Sequence, residues 1–185
     1  MAATHASKSS ATTTAAKKTP SKQASASRSK APADDAIKLL TQDHRAVAKL
    51  FKSFEGAKGE DAQQKLAEQI CLELKVHAQI EEEIFYPAAS RALDDVEMVE
   101  EAIVEHAAAK RLIAEIETMK SGQDFFDAKV KVLQEQIEHH VEEEEKELFP
   151  ACKKTDMDLE GLGERMKQRK MELMNQMTGG RAGAH

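Results

Sequence analysis

His77-Ala78-Gln79-Ile80-Glu81, followed by Pro87, has a second copy in the same chain: His140-Val141-Glu142-Glu143-Glu144, followed by Pro150. In each copy the proline stands at the same distance beyond the histidine. Each copy also has an upstream partner. Asp43-His44 precedes the first by 33 residues and Glu105-His106 precedes the second by 34. The pattern His…His-x-x-x-Glu…Pro thus occurs twice at nearly one spacing. A residue and its fourth neighbour share a helix face, so His77 points with Glu81, and His140 with Glu144.

The surrounding periodicity makes those faces apolar. Ile37, Leu40, His44, Val47, Phe51 and Phe54 recur at steps of three and four, which predicts one amphipathic helix from Asp34 to the break at Gly56–Gly59. A second helix is expected over about residues 60–86, with Leu66, Ile70, Leu74, His77, Glu81 and Ile84 on one stripe. Pro87 and the alanines after it predict a kink or short connection. The third helix, about residues 93–119, directs Val99, Ile103, His106, Ile113 and Ile116 inward; Ser121-Gly122 ends it. The fourth, about residues 124–149, aligns Phe126, Val130, Leu133, Ile137, His140, Glu144 and Leu148. Four long helices joined by short turns give an all-α, antiparallel, up-down-up-down four-helix bundle. A methionine-rich segment, Leu159 to Met177, forms a short C-terminal helical extension that packs across the bundle or mediates contacts.

Three regions follow: a basic tail over residues 1–33, the bundle over 34–152, and the extension over 153–185. The tail is rich in Ala, Ser, Thr and Lys, with almost no large apolar side chains to offset its ordering entropy, so it reads as disordered. It carries six cations and no acid, so against the chain's net charge of -6 the rest of the chain holds about -12. An acidic body does not suggest nucleic-acid binding, which leaves at most a weak contact through the tail. The chain has no tryptophan, one tyrosine and four prolines, which argues against a β-sandwich or barrel. No apolar run reaches the length of a bilayer span or a secretory signal. With two isolated cysteines, Cys71 and Cys152, a cytoplasmic protein with ordinary thiols is expected.

His44, His77, Glu81, His106, His140 and Glu144 all occupy stripe positions where leucine or isoleucine would otherwise sit. An unpaired buried carboxylate costs several kcal/mol, so something positive must compensate, and metal ions do so with histidine as co-ligand. At about 1.5 Å per residue, each histidine pair lies at nearly one level of its hairpin, and the ligands converge on one layer. Imidazole and carboxylate without thiolate suit iron or manganese and tolerate zinc. Two carboxylates shared among four histidines suggest two ions bridged by Glu81 and Glu144. Room remains for an oxo or hydroxo bridge and for dioxygen, peroxide or nitric oxide.

These residues resemble the hemerythrin-like, or HHE cation-binding, domain. The resemblance covers about residues 35–152 and rests on Asp43-His44-Arg45, on His77-x-x-x-Glu81-Glu82-Glu83-Ile84-Phe85-Tyr86-Pro87, on Glu105-His106, and on His139-His140-Val141 through Leu148-Phe149-Pro150. It implies a four-helix bundle with a non-haem di-iron centre held by the same six residues, serving oxygen binding, redox or nitric-oxide sensing, iron handling or peroxide chemistry. Oxygen-carrying members place a further histidine where this chain has Lys110, which weakens the case for reversible oxygen transport and favours reactive or sensory chemistry.

Four functions stay open at this point. They are ligand binding or sensing at a di-iron site, peroxide decomposition or iron-cluster repair by an enzyme at the same site, iron storage or delivery, and a metal-free bundle whose polar layer sets register. His139 falls just off the stripe and reads as a flanking residue. Lys110 is either a donor to a bound anion or a snorkelling side chain. The other glutamates of the 81–83 and 142–145 runs read as solvated faces, with a lesser role in guiding cations inward. Tyr86, Phe85 and Phe149 read as closing the apolar end of each helix.

Overall fold

Asp35 opens the first helix by accepting a hydrogen bond from the Lys38 amide at 2.8 Å, a cap that satisfies one of the donors a helix start leaves free. A computed structural model describes residues 35–179, and its first element is α1 (Ala36–Gly56). After a turn through Gly59, at φ 92°, α2 (Glu60–Ile80) runs back along it. The chain continues through a π-helical turn (Glu81–Phe85) into α3 (Tyr86–Ala92), then bends into α4 (Glu97–Glu117). The fourth long helix, α5 (Phe126–Glu143), repeats the device: a π-helical turn (Glu144–Leu148), then α6 (Phe149–Cys152). The extension forms α7 (Leu159–Gly179). The expected basic tail and the last residues lie outside the described part of the chain.

The result is the expected all-helical bundle, with α1, α2, α4 and α5 as its four staves. Its interior has three storeys. One apolar cluster holds Val47, Phe51, Phe54, Ile70, Leu74, Ile113, Ile116, Phe126 and Leu133. A second holds Leu40, Ile80, Phe85, Tyr86, Val99, Leu148 and Phe149, and is closed by Leu162, Met166 and Leu173 of α7. Between them lies the buried polar layer of His44, His77, Glu81, His106, His140 and Glu144. Each of the four histidines follows an apolar neighbour on its own stripe and each of the two glutamates precedes one, so a polar storey sandwiched by apolar ones is what the periodicity requires.

Two details depart from the sequence expectation. Pro87 does not form a connection, and the chain stays helical through it to Ala92. Its ring would collide with the carbonyl four residues back, and the helix responds by widening for one turn. Tyr86 N–H then bonds the Glu81 carbonyl, and Phe149 N–H the Glu144 carbonyl, across five residues instead of four. Each widened turn begins at a carboxylate of the polar layer, and single π-turns recur at functional sites. The second departure is Ile103, which is 45% exposed. On α4 the inner stripe is Val99, Ala102, His106, Ala109, Ile113 and Ile116. Alanine, not isoleucine, flanks His106, and its small side chain lets the imidazole approach the facing helix. Among the described residues, no helix is long and apolar enough to cross a membrane.

Candidate metal centre

All six residues singled out in the sequence meet in the polar layer, and none is more than 6% exposed. They meet in two pairs. His44 Nε2 stands 3.2 Å from His77 Nε2, and His106 Nε2 stands 3.1 Å from His140 Nε2. Glu81 Oε2 lies 3.1 Å from His77 and 3.4 Å from His106; Glu144 Oε2 lies 3.3 Å from His44 and 3.6 Å from His140. Each carboxylate therefore spans both pairs.

The outer nitrogens explain the orientation. His44 Nδ1 donates to Glu145 at 3.0 Å, His106 Nδ1 to Glu82 at 3.0 Å, and His140 Nδ1 to Glu105 at 2.8 Å. Asp43 faces His77 Nδ1 at 3.6 Å, too far for a full hydrogen bond. A carboxylate only accepts, so a proton sits on each hydrogen-bonded Nδ1, and a neutral ring then turns a lone pair inward at Nε2. The arrangement has a two-fold logic. Asp43 and Glu105 precede His44 and His106, yet each faces the other histidine of its own hairpin. Glu82 and Glu145 follow the ligand-position glutamates, yet each holds a histidine of the opposite hairpin. Neighbouring positions on a helix are turned by about 100°, which aims these acids sideways at the adjacent helix.

Charges on one wall reach further out. Lys170 of α7 pairs with Asp43 at 2.5 Å, and Lys110 pairs with Glu82. Arg169 grips Glu83 with two hydrogen bonds, of 2.6 and 3.1 Å. The extension thus packs across the bundle and braces the acid that faces His77. Lys110 is an ion-pair partner of Glu82, not a ligand-layer residue. Burial pushes Asp43 upward, but His77 and Lys170 outweigh it and hold the carboxyl below its usual range.

The two-fold is also broken beside the prolines. The residue before each proline is Tyr86 in one copy and Phe149 in the other. Tyr86 donates its hydroxyl to Glu144 Oε1 at 2.9 Å and lies 3.2 Å from His106 Nε2. Phe149 instead stacks on His44, with ring centroids 5.8 Å apart. Tyr86 was expected to close the apolar end, and it does pack there, but its hydroxyl reaches the site. The widened turn rotates it in. Burial, then the Glu81 and Glu144 charges, keep that phenol protonated well above its ordinary range.

In the metal-free chain the layer compensates with protons. Burial opposes charge on His77, but Glu81, Asp43 and Glu144 override it and lift the imidazole to about 10. Burial likewise opposes ionisation of Glu81, yet His77 above all draws it down to about 2. His106 goes the other way: burial lowers it despite Glu81. Burial also disfavours a charged His140, but Glu105 and then Glu144 raise it. Even so, both oxygens of Glu81 and Glu144 Oε2 find no hydrogen-bond partner.

That donor set fits metal ions. Two ligand atoms each about 2.1 Å from one ion can be no more than about 4.2 Å apart, and every inward separation given above lies below that limit. His44, His77, Glu81 and Glu144 form one group able to hold an ion, and Glu81, His106 and His140 a second. Above the imidazoles sits a cavity of about 20 Å³ walled mainly by Val47, Leu74, Ala109, Ile113, Ile137 and Val141, with Asp43 and Lys110 also on its lining.

Sequence reasoning missed the roles of Asp43, Glu82, Glu105, Glu145 and Tyr86. The acid–histidine dipeptides were a usable signal, since histidines that bind metal commonly donate their second nitrogen to a carboxylate. His139 is exposed and flanks the layer, lying 3.2 Å from Glu143 and 3.7 Å from Glu105.

This chain is similar to known proteins to different extents. A crystal structure of a hemerythrin HHE cation binding domain-containing protein from Mycobacterium kansasii matches with a TM-score of 0.67, over 77% of this chain and 88% of that one, at 24% identity, a likeness of fold. An uncharacterised hemerythrin-like protein of Schizosaccharomyces pombe is 28% identical over 117 residues, 62% of this chain and 58% of that one. A DNA nickase of Nostoc is 28% identical over 115 residues, 62% of this chain and 32% of that one. The chain therefore spans less than two thirds of either curated relative. Residues 35–152 match the family described as the hemerythrin HHE cation binding domain. That span takes in the four staves and every member of the polar layer, so this chain belongs to the hemerythrin family of HHE cation-binding domains.

Proposed function

We propose that the protein binds two non-haem iron ions in the His/Glu layer and uses them to bind or sense a small ligand: dioxygen, nitric oxide or peroxide. The observation that carries this reading is the pairing of four inward Nε2 atoms with buried, unpartnered carboxylate oxygens of Glu81 and Glu144. His44 and His77 would hold one ion and His106 and His140 the other, with Glu81 and Glu144 between them. Imidazole and carboxylate without thiolate favour iron, with manganese or zinc as substitutes. When bound, the ions supply Lewis acidity and one-electron redox chemistry to a ligand at an open position.

The chain's own residues set the ligand's size and polarity. A cavity of about 20 Å³ admits little more than one water-sized molecule, and its apolar wall disfavours charged species. Tyr86 favours a second reading, peroxide decomposition by an enzyme at the same site. Its hydroxyl, which holds its proton, stands beside His106 and Glu144 and would offer a hydrogen bond to a ligand held there. The nickase likeness lends this chain no DNA chemistry, because it covers so small a part of that protein.

The deciding experiment is elemental analysis of protein expressed in iron-replete medium, beside a His140→Ala, Glu144→Ala variant. About two irons per chain, lost in the variant, are expected. No stoichiometric metal in the parent protein would overturn the proposal. With iron present, a reversible spectral change on adding oxygen or nitric oxide separates binding from sustained peroxide turnover.

A further inference from the structure

The cavity above the imidazoles suits a neutral ligand, but it is a poor route for the metal. A divalent ion crossing an apolar wall loses hydration that nothing replaces. One groove on the bundle offers the opposite chemistry. Between α4 and α5, Glu101, Glu105, Glu143 and Glu147 line a cleft that reaches inward to His140 and Glu144. No lysine or arginine lines it. The other clefts beside the layer differ: Lys75 and Lys110 stand in the one between α2 and α4, and Arg45 and Lys49 in the one between α1 and α2.

The cleft has a mouth and a floor. Glu105 and Glu143 line the cleft, and beside them on the exposed face of α5 His139 Nε2 lies 3.2 Å from Glu143 Oε1 and 3.7 Å from Glu105 Oε1. Both spacings lie within the about 4.2 Å available to two ligands of one ion, and the three residues form a group able to hold a cation. At the floor is Glu144, 2% exposed, whose Oε2 lacks a hydrogen-bond partner. Glu105 links the two levels, because its other oxygen accepts the His140 Nδ1 proton at 2.8 Å. We propose that Glu105, His139 and Glu143 form an outer, transient site for a divalent cation, and that the acidic cleft behind it is the path by which metal enters the inner layer. The inference rests on the metal-binding reading given above. Its chemistry is ligand exchange without redox: the ion leaves the outer carboxylates and imidazole for the inner ones, and protons displaced from the inner histidines pass to water.

The test is anaerobic loading of the full-length metal-free protein with Fe²⁺, quenched at intervals with a chelator, to follow the protected fraction. His139→Gln, Glu143→Gln removes two outer ligands on an exposed face, and Glu101→Gln, Glu147→Gln lowers the charge of the cleft. Glu135→Gln, elsewhere on α5, is the control for general charge loss. A focused acidic cleft raises cation capture by about tenfold or more. Both cleft variants should therefore load at least about tenfold more slowly than parent and control, and reach the same final content. A Mn²⁺ titration followed by electron paramagnetic resonance should show one weaker ion beyond the inner ones, lost in His139→Gln, Glu143→Gln. Equal loading rates in parent and cleft variants, or equal slowing in the control, would overturn the inference while leaving the inner site intact. No metal uptake by the parent protein would overturn both readings.

Discussion

Metal affinity should climb steeply with pH, and far past the range of an ordinary histidine. In the metal-free chain His77 is lifted from 6.5 to about 10 by Glu81, Asp43 and Glu144, against the opposing effect of burial. At neutral pH an entering ion must displace that proton, and each pH unit below the pKa costs about tenfold in affinity per proton. Between pH 6 and pH 8 this one group predicts a gain of about 100-fold, or about 2.7 kcal/mol. An unshifted histidine at 6.5 would give about fourfold over the same interval. His140, also raised, adds to the slope; Glu81, drawn down to about 2, is already ionised and adds nothing. The assay is competition against a chromophoric chelator with Co²⁺ or Mn²⁺, corrected for the chelator's own protonation, with proton release read in weak buffer. A gain below about tenfold, or no released proton, would refute the account of how the layer holds its charge.

The same shifts set the stability of the metal-free protein. The folded value of His77 lies above 6.5, so its contribution is present below that pH and lost as pH rises through about 10. Glu81 lies below 4.5, so its contribution is present above that pH and lost as pH falls through about 2. Urea midpoints of the metal-free chain should therefore peak between pH 4.5 and 6.5. Tyr86→Phe leaves Glu144 Oε1 buried without its donor, and should cost the metal-free protein about 2 kcal/mol in chemical denaturation. Lys170→Met removes the cation that pairs with Asp43; chelator competition should show metal affinity falling about tenfold, while the far-ultraviolet spectrum stays unchanged. Phe125 is 75% exposed and held at φ 70°. Phe125→Asn should stabilise the protein by about 1 kcal/mol, read as a higher urea midpoint.

Some of the site was legible before any coordinates because it obeys helix periodicity. His44 takes the stripe position between Leu40 and Val47, and Glu144 that between His140 and Leu148. A polar residue there is buried whichever way the helices pack. Ile103 shows the limit of that logic: it and Ala102 fit the α4 spacing almost equally well, and only the close approach of α4 to its neighbours selects the alanine. Pro87 shows another. A proline's clash with the carbonyl four residues back is a local fact, but a widened turn and a kink both relieve it. Packing of Phe85 and Tyr86 into the lower core accompanies the first.

The sequence by itself determined the four staves, the buried storey of six His and Glu side chains and the doubled motif, since each depends on spacing along one helix. Tertiary structure alone decided which acid faces which histidine, for those contacts cross between helices and depend on the rotation of each about its axis. Glu145 reaches His44 across 101 residues, and Lys170 reaches Asp43 across 127. It also separated Tyr86 from Phe149. In the sequence the two are equivalent aromatics before a proline, yet once the turns widen, one places a hydroxyl on Glu144 and the other a bare ring on His44.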